Sequence, residues 1–240
     1  MRLRALSRFE VRSIDERARD EFGLSTLVLM ENAGRGAAET IRSRVKSTSR
    51  VLIICGPGNN GGDGGVVARF LDCWGYQVEV VWLAEFDRLS ADAKVQYHIL
   101  EQSKIIQSCQ TSIKSSLNRP NCLDGADWII DAIFGTGLSR PVEGMFQTWI
   151  DWINSANKPV LSLDIPSGLD CDLGVPLGVS IHAKSTATFV SEKLGFLNPQ
   201  AKDYTGEIQV IEIGAPRRLL NEYRVEDAGT QTNESKEYMP

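Results

Sequence analysis

Histidine is scarce in this chain, with only His98 and His182 among 240 residues. The two show no metal-ligand spacing, and each fits a packed or surface position better than a ligand. With so little imidazole, no Ser-His-Asp or Cys-His set is convincing. Five cysteines, Cys55, Cys73, Cys109, Cys122 and Cys171, form no CxxC pair. Their odd count reads as mostly buried free thiols in a reducing compartment. No stretch reaches the ~20 apolar residues of a membrane span. The basic start, Met1-Arg2-Leu3-Arg4-Ala5-Leu6, runs into Arg8, Glu10, Arg12, Asp15, Glu16 and Arg17 without an apolar h-region. No signal peptide is expected, and the chain reads as cytoplasmic with no membrane partner. Blocks of Lys and Arg are also missing, and a formal net charge of −5 argues against a nucleic-acid or anionic-membrane surface. A phosphate-bearing ligand would have to be held locally, by backbone donors and a few placed side chains.

Glycine, by contrast, is concentrated. The strand-like run Val51-Leu52-Ile53-Ile54-Cys55 leads into Gly56-Pro57-Gly58-Asn59-Asn60-Gly61-Gly62-Asp63-Gly64-Gly65, then into a helical pattern from Val66. Six glycines in ten residues are hard to explain by stability alone, because glycine loses more backbone entropy on folding than other residues. A loop of this kind beside a helix N-terminus can point unpaired N–H groups at an anion or polar ligand. Read literally, Gly56-x-Gly58-x-x-Gly61 is a GxGxxG, and Glu85 at the end of the next strand would suit a ribose-binding acid. An ordinary Rossmann dehydrogenase is therefore a live reading, although Asp63 at the helix start would set a negative charge where the dipole favours the ligand's own. No Gly-Lys-[Ser/Thr] follows, which excludes a P-loop. The bland alternative is a glycine-rich turn with Asp63 as N-cap.

The rest of the chain predicts a doubly wound α/β fold. Ser7 and Glu10 form a candidate capping box for a helix that Gly23 would end, and a second helix is expected from about Thr26 to Val45. Strand-like runs follow at 51–55, 77–83, 128–131, 159–163, 186–190 and 208–213, alternating with helical patterns. Several are continuously apolar, as parallel strands covered on both faces should be. The expectation is a Rossmann-like, mostly parallel sheet with helices on both faces, one domain over residues 1–223, and a polar, disordered tail over 224–240.

Ligands of such sheets bind beyond the carboxyl ends of the strands, where two further polar loops fall. One runs from Asp131 through Gly135-Thr136-Gly137-Leu138-Ser139-Arg140-Pro141. A carboxylate ending an apolar strand is costly unless paired or bound to a cation, so Asp131 is a ligand candidate or else a loop brace. Arg140 is either a phosphate partner or a solvated surface residue. The other loop, Asp164-Ile165-Pro166-Ser167-Gly168, again follows a strand. Asp164 suits general acid/base work with the Ser167 hydroxyl nearby, or the two brace a turn around Pro166. Asn59 and Asn60 add amide groups suited to a cation or a hydroxyl.

The segments VLIICGPGNNGGDGG, IIDAIFGTGLSRPVEG, LSLDIPSGLDCDLG and TATFVSEKLGFLNP, with the earlier Leu29-Met30-Glu31-Asn32-Ala33-Gly34, resemble in order and spacing the NAD(P)H-hydrate epimerase family, the YjeF N-terminal domain. The resemblance spans about Ser7 to Pro216. It implies an isomerase that interconverts the R and S forms of hydrated NADH and NADPH, NADHX and NADPHX, so that a dehydratase accepting only the S form can repair both. It implies substrate contacts from Asn59, Asn60, Gly61, Gly62 and Asp63, from Gly135, Thr136, Gly137, Leu138, Ser139, Arg140 and Pro141, and from Asp164. It further implies potassium held by Asn60, Asp131 and Ser167, all hard oxygen donors, and a homodimer. Asp164 is the expected catalytic group. Phe70 and Lys184 depart from the family pattern, where histidine and an acid are frequent. No kinase-like dehydratase domain follows Pro216, so a dehydratase partner is expected to be a separate protein. A non-catalytic nucleotide- or partner-binding module on the same fold is the other alternative, against which the joint presence of Asn60, Asp131, Asp164 and Ser167 argues.

Overall fold

A strand such as Val51-Leu52-Ile53-Ile54-Cys55 presents apolar side chains to both sides of its pleat and needs cover on both faces. The computed structural model of the chain, which describes residues 3–111 and 119–225, supplies that cover. Strands β1 (Arg50–Cys55), β2 (Gln77–Trp82), β3 (Ile106–Cys109), β4 (Trp128–Ala132), β5 (Val160–Leu163), β6 (Ser185–Phe189) and β7 (Glu207–Ile211) form one sheet in the order β3-β2-β1-β4-β5-β6-β7. Every neighbouring pair is parallel. Val51, Ile53 and Cys55 enter one apolar core with α1 (Arg8–Phe22), α2 (Thr26–Arg44), α3 (Asn59–Cys73) and α4 (Ala91–Gln102). Leu52 and Ile54 enter a second core, filled from α5 (Asn121–Gly125) and α6 (Gly144–Ser155). The doubly wound expectation is met, with a sheet parallel throughout.

The six expected strands are present, and one more is not foreshadowed. β3 is four residues long, lies at the sheet edge, and leaves Ile106 68% exposed. The capping box forms as expected: the Glu10 N–H donates to Ser7 Oγ (3.3 Å) and the Ser7 N–H to Glu10 Oε2 (2.9 Å). Gly23 closes α1 with φ 68°, a left-handed conformation that glycine adopts without steric cost. Leu3 and Arg224 form an antiparallel bridge, so the expected tail starts on a residue still tied to the fold, and its residues 226–240 lie outside the described ones. Among the described residues no helix is long and apolar enough to cross a membrane.

The glycine-rich segment differs from expectation. It is not a loop leading to a helix at Val66: α3 already begins at Asn59 with Gly58 as its N-cap, and Asp63 lies inside the helix rather than capping it. The reason is packing. A Cβ on Gly64 would come 2.7 Å from Ala132 Cβ and 2.8 Å from Cys55 Sγ, and one on Gly61 only 2.0 Å from the Gly56 carbonyl oxygen. From α2, a Cβ on Gly34 would lie 2.5 Å from Val66 Cβ. Glycine is a poor helix former, but here it lets α3 lie directly on β1 and β4 with α2 pressed against it.

Gly61→Ala, whose methyl would meet backbone, should lose about 3 kcal/mol or more by overpacking. Gly58→Ala, with nothing within 4 Å of its Cβ position, should cost less than about 1 kcal/mol, mainly through the N-cap preference. Urea unfolding of both variants against the parent checks this contrast.

Candidate active site

The strand order runs outward in opposite directions from β1 and β4, and the crevice between their carboxyl ends is the topological switch point of a doubly wound sheet. The chain after β1 turns at Gly56, whose N–H donates to the Ala132 carbonyl at 2.9 Å. A Cβ on Gly56 would stand 1.9 Å from the Ile133 carbonyl oxygen, so only glycine lets the two loops approach so closely. Asn60, in the first turn of α3, is thereby carried over the loop after β4. A Cβ on Gly135 would lie 3.5 Å from Asn60 Cβ and Cγ and 2.9 Å from Asp164 Oδ2. Three sequence candidates, Asn60, Gly135 and Asp164, thus converge. Asn60 is 8% exposed, and its amide oxygen and nitrogen both lack a partner among the described residues, which is uncommon for buried polar atoms and marks a place for a ligand.

Asp131 and Ser167 form a second, adjoining group. Asp131 is fully buried on the α5/α6 face of β4, in register with Ser162 of β5. Its Oδ1 accepts from Ser167 Oγ (2.5 Å) and the Ile133 N–H (3.3 Å), and its Oδ2 from Ser162 Oγ (2.8 Å) and the Ser167 N–H (2.8 Å). Ser167 Oγ in turn accepts from the Phe134 N–H at 2.8 Å. Burial pushes the Asp131 carboxyl above the usual range, and the bonds from Ser167 and Ser162 oppose this. All its donors are neutral, and no basic side chain pairs with it among the described residues. The donor set suits a hard cation: a buried carboxylate without a counter-charge, the orphaned Asn60 amide and the Ser167 hydroxyl flank the Phe134-Gly135 backbone. No grouping of three His, Cys, Asp or Glu fit for a metal occurs among the described residues.

Asp164 sits immediately after β5 at φ 66°, inside a turn closed by the Ile165 N–H on the Leu163 carbonyl at 2.8 Å. Such left-handed three-residue turns are strained in a non-glycine residue. Its Oδ2 accepts from the Thr136 N–H (3.0 Å), and its Oδ1 lies 2.8 Å from Lys193 Nζ. Lys193 has no exposed surface. Two more acids face this pair. Asp63, in α3, is held well above the usual carboxylate range by burial first and then by Asp164, Asp15 and Asp92. Asp15, half-buried on α1, is pushed up to about 6 by burial and by Asp164, with Lys193 opposing.

The remaining candidates are spread outward. Asn59, Gly137, Ser139, Arg140 and Pro141 are exposed, Gly61 and Gly62 are buried in α3, and Leu138 packs on the second core. Thr136 contributes its backbone N–H. Glu85 accepts from Thr111 Oγ at 2.8 Å on the far side of β2. His98 lies beside Glu101 on the surface, and His182 stacks on Tyr204. All five cysteines are free, but only Cys55 and Cys171 are buried, fewer than expected. Sequence reading passed over Asp15 and Ser162 and gave Lys193 no assigned role. Asp15 follows Val11 by four residues and precedes Ala18 by three, both buried, so the helical period already placed it on the inner side of α1.

Residues 26–195 match the family described as YjeF-related protein N-terminus. The chain is 38% identical over 221 residues to the NAD(P)H-hydrate epimerase of Pirellula staleyi, covering 91% of this chain and 96% of that protein. It is 40% identical over 214 residues to the NAD(P)H-hydrate epimerase of Lentilactobacillus buchneri, covering 87% and 93%. The bifunctional NAD(P)H-hydrate repair enzyme Nnr of Thermofilum pendens is 37% identical over 217 residues, and this chain, matched over 90% of its length, spans 41% of that protein. Among solved structures, that of yeast ynu0, YNL200c, superimposes with a TM-score of 0.78 at 26% identity, covering 96% of this chain and 98% of the yeast one.

Because the Asp15 carboxyl is raised in the folded state, it binds a proton there at pH values where the unfolded chain has lost it. Its charge therefore weakens the fold as pH rises from about 4 through about 6. Asp15→Asn should match the parent near pH 3.5 and exceed it at pH 7.5 by about 1–2 kcal/mol, a value reduced for partial exposure. Thermal midpoints across that range check the sign.

Proposed function

The chain belongs to the family of YjeF-related protein N-termini, and on that premise we propose that it is an NAD(P)H-hydrate epimerase, an isomerase interconverting the R and S forms of hydrated NADH and NADPH. The observation that carries the proposal is the convergence of a strained, buried Asp164 and an Asn60 unpartnered among the described residues on Gly135 at the switch-point crevice. Relatives of matching length bear the epimerase name, which supports the same reading.

The hydrated carbon of the substrate carries a hydroxyl and is bonded to the ring nitrogen, so it is a hemiaminal. Its C–O bond breaks with the electron pair leaving on oxygen, and Asp164 relays to that oxygen a proton drawn from solvent, so that the leaving group is water. The nitrogen lone pair stabilises the resulting ring cation. Water then adds to the opposite face, and Asp164 takes back the proton, which inverts the centre without change of oxidation state. Asn60 and the Gly135 to Pro141 loop orient the substrate, with the exposed Arg140 as counter-charge for its phosphates. A dehydrogenase would instead need a hydride acceptor; the helical, sheet-packed glycines of α3 and a Glu85 already engaged by Thr111 give that reading little support.

Potassium is part of the proposal, held by Asn60, Asp131 and Ser167. Bound there it supplies a fixed positive charge that balances the buried Asp131. The proposal also includes a cytoplasmic homodimer whose S-form product a dehydratase consumes. Relatives named as bifunctional repair enzymes, which this chain spans for only about two fifths of their length, suit a second activity working beside this one.

Chiral separation of NADHX after incubation should show interconversion faster than the spontaneous rate, and Asp164→Asn should be slower by about 10²-fold or more. An Asp164→Asn protein with the full rate removes Asp164 from the chemistry. Exchanging potassium for a bulkier monovalent cation should lower the thermal midpoint and the activity together; equal values in both salts would count against the Asn60, Asp131 and Ser167 site.

A further inference from the structure

Lysine is among the residues least often fully buried, because desolvating its ammonium is costly unless it is paired and hydrogen-bonded. Lys193 is 0% exposed, so its surroundings must offset that cost. Its Nζ donates to the Phe189 carbonyl at 2.8 Å and the Ser191 carbonyl at 3.4 Å, and it faces Asp164 Oδ1 at 2.8 Å.

The two carbonyls belong to a turn that mirrors the one at Asp164. Val190, directly after β6, has φ 68°, and the Ser191 N–H donates to the Phe189 carbonyl at 2.8 Å. A β-branched residue in that region is a genuine outlier. Adjacent parallel strands β5 and β6 therefore each end in a left-handed three-residue turn, and the Asp164 N–H donates across to the Ala187 carbonyl at 2.8 Å. The Lys193 ammonium is the group that touches both turns. Its own backbone is fixed from outside: the Leu6 N–H donates to the Glu192 carbonyl (2.9 Å), the Leu194 N–H to the Leu6 carbonyl (2.7 Å), and Ser191 Oγ to the Arg4 carbonyl (2.6 Å). Two strained turns persist only where the surroundings over-determine them, and here the over-determination converges on one amine.

Resting on the epimerase reading, we propose that Lys193 is a positioning residue for the reaction: anchored on the Val190 turn, it fixes Asp164 Oδ1 so that Oδ2 is presented to the Gly135-Thr136 backbone, where the substrate lies. It acts through Asp164 and touches no substrate atom. A mere packing role would be met by an apolar chain of equal length, and a substrate-binding role would appear in KM.

The test is a cycle of Lys193→Met, Asp164→Asn and the double variant, with Lys193→Gln, which retains a donor for the Phe189 carbonyl, as a second uncharged form. A folded Lys193→Met or Lys193→Gln protein should lose about 30-fold or more in kcat with KM within about 3-fold, and adding Asp164→Asn should cost nothing further, since the two act as a unit. A kcat within about 3-fold of the parent, a KM rising in step with the loss, or multiplicative losses in the double variant would overturn the proposal. If neither single variant folds, the thermal midpoint of the double decides: it should recover, because no buried charge is left alone, and a double variant no more stable than the singles overturns the pairing. Parent protein that does not interconvert the epimers would fail the functional reading itself, while the stability arm would still decide whether Lys193 holds Asp164.

Discussion

The close seating of α3 on the sheet is the constraint from which the rest of the structure follows. Side chains at positions 61 and 64 would collide with Gly56, Ala132 and Cys55, so the helix can lie this low only because glycine stands there. The low seat brings Asn60 over the loop after β4 and buries Asp63 among other acids. It also lets Gly34 of α2 approach Val66, so that the same contact packs the core and shapes the crevice. Helix propensity is given up locally and recovered as burial, which is the usual balance when tertiary packing overrides intrinsic preference.

The crevice gathers features that stability alone does not favour. Among the described residues Asp131 is buried with neutral donors only and Asn60 has no partner, while Asp63 and Asp15 are raised by burial and by Asp164, and Asp164 and Val190 hold left-handed backbone. Functional sites are where such costs concentrate, because ligand and chemistry need groups that the folded protein has not already satisfied. Among the described residues Lys193 is the positive charge set among these acids, and the N-terminal segment around Leu6 clamps the loop that carries it. The N-terminus of the fold and the chain after β6 thus share in shaping a site whose recognisable motifs lie elsewhere.

Much of this was legible from residue order. Continuous apolar runs gave six strands, the Ser7 and Glu10 spacing gave the cap of α1, and the three glycine- and acid-bearing loops fell at the carboxyl ends of β1, β4 and β5 as the doubly wound pattern requires. The start of α3 was not legible, because a run of glycine and asparagine has the local preferences of a turn, and only contact with Ala132, Cys55 and Met30 makes it helical. β3 was hidden by its brevity and its exposed edge position. The burial of Asp15 and the pairing of Lys193 were hidden for another reason: the residue that gives both meaning, Asp164, is distant along the chain. Contacts between remote segments leave little local trace.

The central claim is that this crevice inverts the hydrated carbon by loss and re-addition of water. Pure R-NADHX incubated with the protein in water enriched in oxygen-18, then resolved by chiral chromatography and weighed by mass spectrometry, tests it most directly. The account predicts S-NADHX formed above the spontaneous rate and carrying solvent oxygen at the inverted centre. Formation of the S form at the spontaneous rate, or its enzymatic formation with the original oxygen wholly retained, would contradict it.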